Sequence, residues 1–167
     1  MADAAGFVDT DVTDEASVKA AIDASKDKFG AIHICVNWAG VGSAMKTVGR
    51  DNKPHDLGVF STVVQINLIG TFNVARLAAA VMAENEPGDD NERGLIVNTA
   101  SVAAFDGQVG QVAYAATKGG VVGRTLPIAR DRGPLGIRCN TTSPALSNTP
   151  LENAAQDKGT QTRRASG

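Results

Sequence analysis

Two spacings of apolar residues alternate along the chain, and each ends at a recognisable stop. Val18, Ile22 and Phe29, with Ala21 between them, recur at helical intervals and end at Gly30, so residues 14–29 are predicted as a helix. Thr13 is its expected N-cap, with Asp14 and Glu15 in the first turn. Short apolar runs closed by polar turns predict strands at residues 6–12, 32–36, 94–98 and 136–140. Residues 56–84 read as a long helix whose apolar positions, Val63, Val64, Phe72, Leu77 and Val81 among them, spread more than halfway round. Such a helix is suited to packing on a sheet and on a partner helix. A third helix begins at Val112 and contains Gly119, Gly120 and Gly123, each costing about 1 kcal/mol relative to alanine. That loss is expected to be offset by close approach to a neighbouring element. Residues 46–55 and 84–93, rich in charge with glycine and proline, read as loops.

Composition narrows the possibilities. With 167 residues, 43% hydrophobic and 20% charged, the chain has the make-up of one globular domain. The net charge is -2 and the basic residues are scattered, which gives no electrostatic reason to expect nucleic acid. Cys35 and Cys139 lie in apolar strand-like runs and read as reduced structural thiols. His33, in a strand, reads as a core residue and His55, in a loop, as solvent-facing, so no metal site is expected. The opening residues lack a basic segment followed by an apolar one, and no apolar run approaches the length that spans a bilayer, so the cytoplasm is the expected compartment.

The chemistry centres on Ser101, Tyr114 and Lys118. Ser101 falls just past the carboxyl end of the strand at 94–98, where open α/β sheets bind ligands. Tyr114 and Lys118 are four apart and share a helix face. A phenol alone titrates near pH ~10 and is a poor base at neutral pH, but a neighbouring ammonium stabilises phenolate. Ser101 would then hold a carbonyl or alkoxide oxygen while Tyr114 moves the proton and a cofactor carries hydride. A tyrosine and a lysine at this spacing also arise by chance, so the surrounding residues have to carry the assignment. Gly40-Val41-Gly42 follows a strand, but Met45 holds the third glycine position of a dinucleotide fingerprint, so this run reads as a loop. The residues around Ser101 lack the glycines of a hydrolase nucleophile elbow.

Ile96-Val97-Asn98-Thr99-Ala100-Ser101-Val102-Ala103-Ala104-Phe105, Gly107-Gln108-Val109-Gly110-Gln111 and Tyr114-Ala115-Ala116-Thr117-Lys118-Gly119-Gly120 closely resemble the short-chain dehydrogenase/reductase family. The interval of 13 positions from Ser101 to Tyr114, Asn85-Glu86-Pro87-Gly88 and Thr125-Leu126-Pro127-Ile128-Ala129-Arg130 resemble the branch acting on 3-hydroxyacyl-CoA and hydroxysteroids. The resemblance runs from about residue 7 to 149, which gives a dehydrogenase domain over 1–150 and a loose polar tail over 151–167. It implies a Rossmann-like, doubly wound parallel sheet and an NAD- or NADP-dependent oxidoreductase on a secondary alcohol or ketone. In that reading Tyr114 is the general acid/base, Lys118 stabilises phenolate and holds the nicotinamide ribose, Ser101 orients the reacting oxygen and Asn67 supports a proton relay. Asp11 and Val12 are implied as adenine contacts and Asn37, Ala39 and Gly40 as a turn along the cofactor. Trp38 stands where the family has a second, bracing asparagine. Pro144 and Thr149 are implied at the nicotinamide, and Gln108 as a substrate contact. Homo-oligomers are the implied assembly.

The resemblance also marks what is missing. The family's first strand, glycine-rich turn and helix, and its last strand, have no counterpart, so the chain is expected to be a partial fold truncated at both ends. The strand at 6–12 must then pair anew with the next strand or remain unpaired. A chain of this kind, catalytically impaired and acting only as an association module, is the alternative reading.

Overall fold

The computed structural model describes residues 4–145. Three parallel strands, β1 (Ile34–Asn37), β2 (Gly94–Thr99) and β3 (Ile137–Thr142), form one sheet in the order β1-β2-β3. Cys35 pairs with Ile96, and Ile96 with Cys139. Helix α1 (Glu15–Phe29) precedes β1; α2 (Leu57–Val64), a π turn (Gln65–Gly70) and α3 (Thr71–Met82), continuous with one another, join β1 to β2, and α4 (Val112–Arg132) joins β2 to β3. The parallel α/β architecture expected from the sequence is present.

Successive strand residues face opposite sides, so each strand presents one set to the helices. Gly94, Ile96 and Asn98 of β2 and Ile137 and Cys139 of β3 are buried on the helix side. Val18 and Ile22 of α1 and Ala75, Ala78, Ala79 and Met82 of α3 complete this core. Small residues allow the close packing: a Cβ at Gly94 would come within 2.6 Å of the Met82 sulfur. The opposite side of the sheet carries Ile34, 64% exposed, and Val36, 56% exposed, with Arg138 and Asn140 also in solvent. Among the described residues that side is uncovered. Cys35 and Cys139 flank Ile96 on the helix side, both reduced. Burial, with the neighbouring Cys139 second, pushes the Cys35 thiol up to about 11, which suits an inert structural thiol.

Several local expectations are corrected. Residues 6–12 form no strand; Phe7 is 91% exposed, and the backbone is held by side chains instead. Lys28 Nζ donates to the Ala5 carbonyl at 2.8 Å, and Asn73 Nδ2 to the Val12 carbonyl at 3.0 Å. A strand needs a neighbour's ladder, and β1 pairs with β2. The N-cap of α1 is Asp14, not Thr13: its carboxylate accepts from Ala16 N, while Thr13 donates its amide and hydroxyl to Asp11. Phe29 is half in solvent, beneath the Lys28 ammonium, and contributes little to the core. His33 precedes β1 and is exposed, whereas the half-buried His55 packs edge-on against Phe60; each reverses its expected surroundings. The helix over Leu57–Met82, with mean hydropathy 1.4, is by length and composition alone sufficient to cross a membrane, contrary to the expectation that no run approaches that length. In this fold its α3 part lies on the sheet.

Of the three glycines in α4, only Gly120 meets a tight contact. A Cβ there would sit 2.9 Å from a Leu68 methyl, whereas at Gly119 it would make an ordinary contact and at Gly123 none.

Candidate active site

The carboxyl ends of β1 and β2 define the site's floor. Asn37 closes β1 and donates through Nδ2 to Asn98 Oδ1 on β2 at 3.0 Å, both side chains buried. This bond comes from the first residue of the turn; Trp38, at the second, turns outward, 72% exposed. Beyond β1 the chain runs through Ala39 and Gly40 to Val41. A Cβ on Gly40 would lie 3.2 Å from Asn67 Oδ1 and 3.8 Å from Lys118 Nζ, so this backbone passes directly beside both side chains.

Ser101 follows β2 and begins a short 3-10 turn, Val102–Ala104, its Oγ accepting from Ala103 N at 3.2 Å. Helix α4 packs along that turn and carries Tyr114, half-buried, in its first turn and Lys118, 6% exposed, in its second. Lys118 Nζ lies 5.5 Å from the centre of the Tyr114 ring and donates to the Thr99 carbonyl at 2.7 Å. One bond thus ties the ammonium to the strand end from which Ser101 departs. Burial, with the charge of Arg124 second, holds this ammonium below its usual range, which eases its release of a proton.

Asn67, 1% exposed, lies in the π turn. The wider winding of a π turn interrupts the α-helical register and often occurs at functional sites. Here Asn67 Oδ1 accepts from Val41 N and Nδ2 donates to Val41 O, each at 2.8 Å. Its Nδ2 also reaches Thr117 Oγ1 at 3.3 Å. Further along α4, Arg124 donates to the Leu68 carbonyl at 2.8 Å and lies over the Phe72 ring.

The structure thus gathers Asn37, Gly40, Asn67, Tyr114 and Lys118, with Ser101 on the adjoining turn. Pro144 is drawn in by its carbonyl, which accepts from Val102 N at 3.1 Å. Gln108 lines a cleft of about 420 Å³ with Met45, Lys46, Val112 and Ala115, next to Tyr114 in sequence. Asp11 is exposed and accepts from the Thr13 amide and hydroxyl, and Val12 packs on Gly70, the last residue of the π turn that carries Asn67. Thr149 and the segment 151–167 lie outside the described residues. Sequence reasoning missed Val41, Thr117 and Arg124. Their roles come from contacts with the π turn, which no spacing of residue types announces.

A parallel sheet whose carboxyl edge gathers a buried asparagine, a tyrosine and a buried lysine on one helix, and a serine on the adjoining turn, is of the α/β kind that binds ligands at that edge. The chain belongs to the short-chain dehydrogenase family, whose model matches residues 2–159. It is 54% identical over 153 residues to the 3-hydroxyacyl-CoA dehydrogenase type-2 of Rattus norvegicus, covering 91% of this chain and 59% of the relative. The crystal structure of 3-hydroxyacyl-CoA dehydrogenase type-2 from Mycobacterium avium superposes with a TM-score of 0.83 at 47% identity, over 89% of this chain and 59% of that one. A 3-ketoacyl-(acyl-carrier-protein) reductase from Brucella melitensis, complexed with NADH, superposes with a TM-score of 0.74 at 33% identity, over 86% of this chain and 57% of that one. The chain spans about three fifths of the length of these proteins.

Proposed function

We propose that the chain carries the proton-transfer site of an NAD(P)-dependent oxidoreductase that interconverts a secondary alcohol and a ketone of the 3-hydroxyacyl-CoA or hydroxysteroid kind. The observation that carries this reading is the buried Lys118 ammonium, anchored on Thr99 O and 5.5 Å from the Tyr114 ring. A cation fixed beside a phenol stabilises the phenolate, so Tyr114 can take the proton of a substrate hydroxyl and return it to an alkoxide. Ser101 holds the reacting oxygen by hydrogen bond. Lys118 passes protons onward and has further donors for a ribose hydroxyl.

A nicotinamide cofactor, when bound, accepts or supplies the hydride. The backbone of Asn37, Ala39 and Gly40, beside Lys118, suits the ribose and ring end of such a molecule. For the pyrophosphate the fit is not made at Gly40-Val41-Gly42, which leads into a loop rather than a helix amino end. No step is assigned to that part.

The association-module reading has its own support in the uncovered side of the sheet and in Leu57, Ile69 and Phe72, exposed on the long helix. Homo-oligomers formed through such faces are compatible with either reading. NADH binding separates the two. Trp38, the chain's one tryptophan, lies on the turn along the proposed cofactor path, so energy transfer from Trp38 to bound dihydronicotinamide reports occupancy. A chain without a pyrophosphate cradle is expected to bind weakly; micromolar binding, weakened about 10- to 100-fold in Lys118→Met by the loss of one hydrogen bond from a charged donor, favours the dehydrogenase reading. Failure of the unaltered chain to bind leaves the association module standing.

A further inference from the structure

We infer that Thr117 is a positioning residue: its hydroxyl locks the Asn67 carboxamide between the loop after β1 and the helix that bears Tyr114 and Lys118. Thr117 is fully buried. Its Oγ1 donates to the Tyr114 carbonyl at 2.7 Å and accepts from Asn67 Nδ2 at 3.3 Å, so both capacities of the hydroxyl are directed at the site.

The bond to Tyr114 O fixes the hydroxyl's proton, and this leaves the oxygen lone pairs for Asn67. That choice sets which way the carboxamide faces. With Nδ2 turned toward Thr117, Oδ1 must face Val41 N, and the second Nδ2 hydrogen meets Val41 O. A carboxamide flipped by half a turn would set oxygen against the Thr117 oxygen and against Val41 O, losing all three bonds. The hydroxyl therefore selects one of two orientations of similar shape, and through Asn67 it fixes Val41 and the neighbouring Gly40 backbone against α4. Gly120, one turn along the same stripe, admits the Leu68 side chain of the π turn and holds that turn at the correct height. Valine in place of Thr117 preserves the volume and removes the selection.

The clamp stands on this geometry alone. Its consequence for turnover rests on the dehydrogenase reading above, so the test has two arms. In the ¹⁵N-labelled full chain, Thr117→Val is expected to speed hydrogen exchange at the Val41 amide by about tenfold or more while the β2 amides keep their rates, and Thr117→Ser is expected to restore protection. Unchanged Val41 exchange in the valine variant overturns the clamp. In turnover assays, Thr117→Val is expected to lower kcat about tenfold at unchanged KM, with recovery in Thr117→Ser. Wild-type kcat alongside lost Val41 protection overturns the positioning role. If the unaltered chain does not turn over, the dehydrogenase reading falls, and the exchange arm still decides the clamp.

Discussion

Replacing Tyr114 with phenylalanine is expected to reduce turnover of a 3-hydroxyacyl-CoA by about 10²- to 10⁴-fold, the range attributable to a positioned general acid/base. The ring remains, so packing against the Lys118 ammonium is retained and only the proton carrier is lost. NADH affinity, read from Trp38, should stay within a few-fold of the parent. That split distinguishes loss of chemistry from loss of the site. It also contrasts with Lys118→Met, where binding itself weakens because the lysine serves both roles. The measurement is the initial rate of NADH formation at saturating substrate, with a melting curve to show that the variant folds. A phenylalanine variant with parental kcat would remove Tyr114 from the reaction and with it the proposed mechanism.

The second large effect is on stability. Gly136→Ala is expected to destabilise the chain by about 2–5 kcal/mol, the sum of a left-handed backbone penalty and local overpacking. Gly136 has φ +70, and a Cβ there would fall 2.0 Å from the Asn91 carbonyl oxygen. The neighbouring backbone has little freedom to withdraw. Arg93 N donates to Gly136 O at 2.7 Å, Gly136 N donates to Gly133 O, and Arg93 Nε is held by Asn85 O. Displacing residue 91 therefore strains the loop that leads into β2 as well as the turn that leads into β3. Urea denaturation of the two proteins measures the difference. A change below about 0.5 kcal/mol, the range of ordinary surface substitutions, would mean that the loop swings aside at no cost.

The sequence made the periodic elements and the chemistry-bearing residues legible, and physical reasons separate these from what it concealed. Helix α1 and strand β2 were readable because burial on one side imposes a pattern on the residues themselves. Ser101, Tyr114, Lys118 and Asn67 were readable because their types and spacing resemble a family. The π turn at Asn67 was hidden, since a change from α to π winding alters which backbone groups pair and leaves the apolar pattern almost intact. Thr117 was hidden for a related reason: a buried hydroxyl two bonds from the chemistry has no signature beyond threonine. Residues 6–12 misled because Phe7 and Val8 have strand character, but a strand is a property of two segments, and the second was not in contact. His33 and His55 exchanged their expected surroundings because the end of a short strand lies outside the helix cover, whereas a loop can fold an imidazole against Phe60.

Cys35 and Cys139, one on each side of Ile96 in a single row across all three strands, give the chain an internal stopwatch. An alkylating reagent attacks thiolate, which burial makes scarce at Cys139, and Cys139 is itself buried in the row, so modification there must wait for the row to come apart. The pace of labelling would then record how often the strands part, with no added dye, tag or substituted residue.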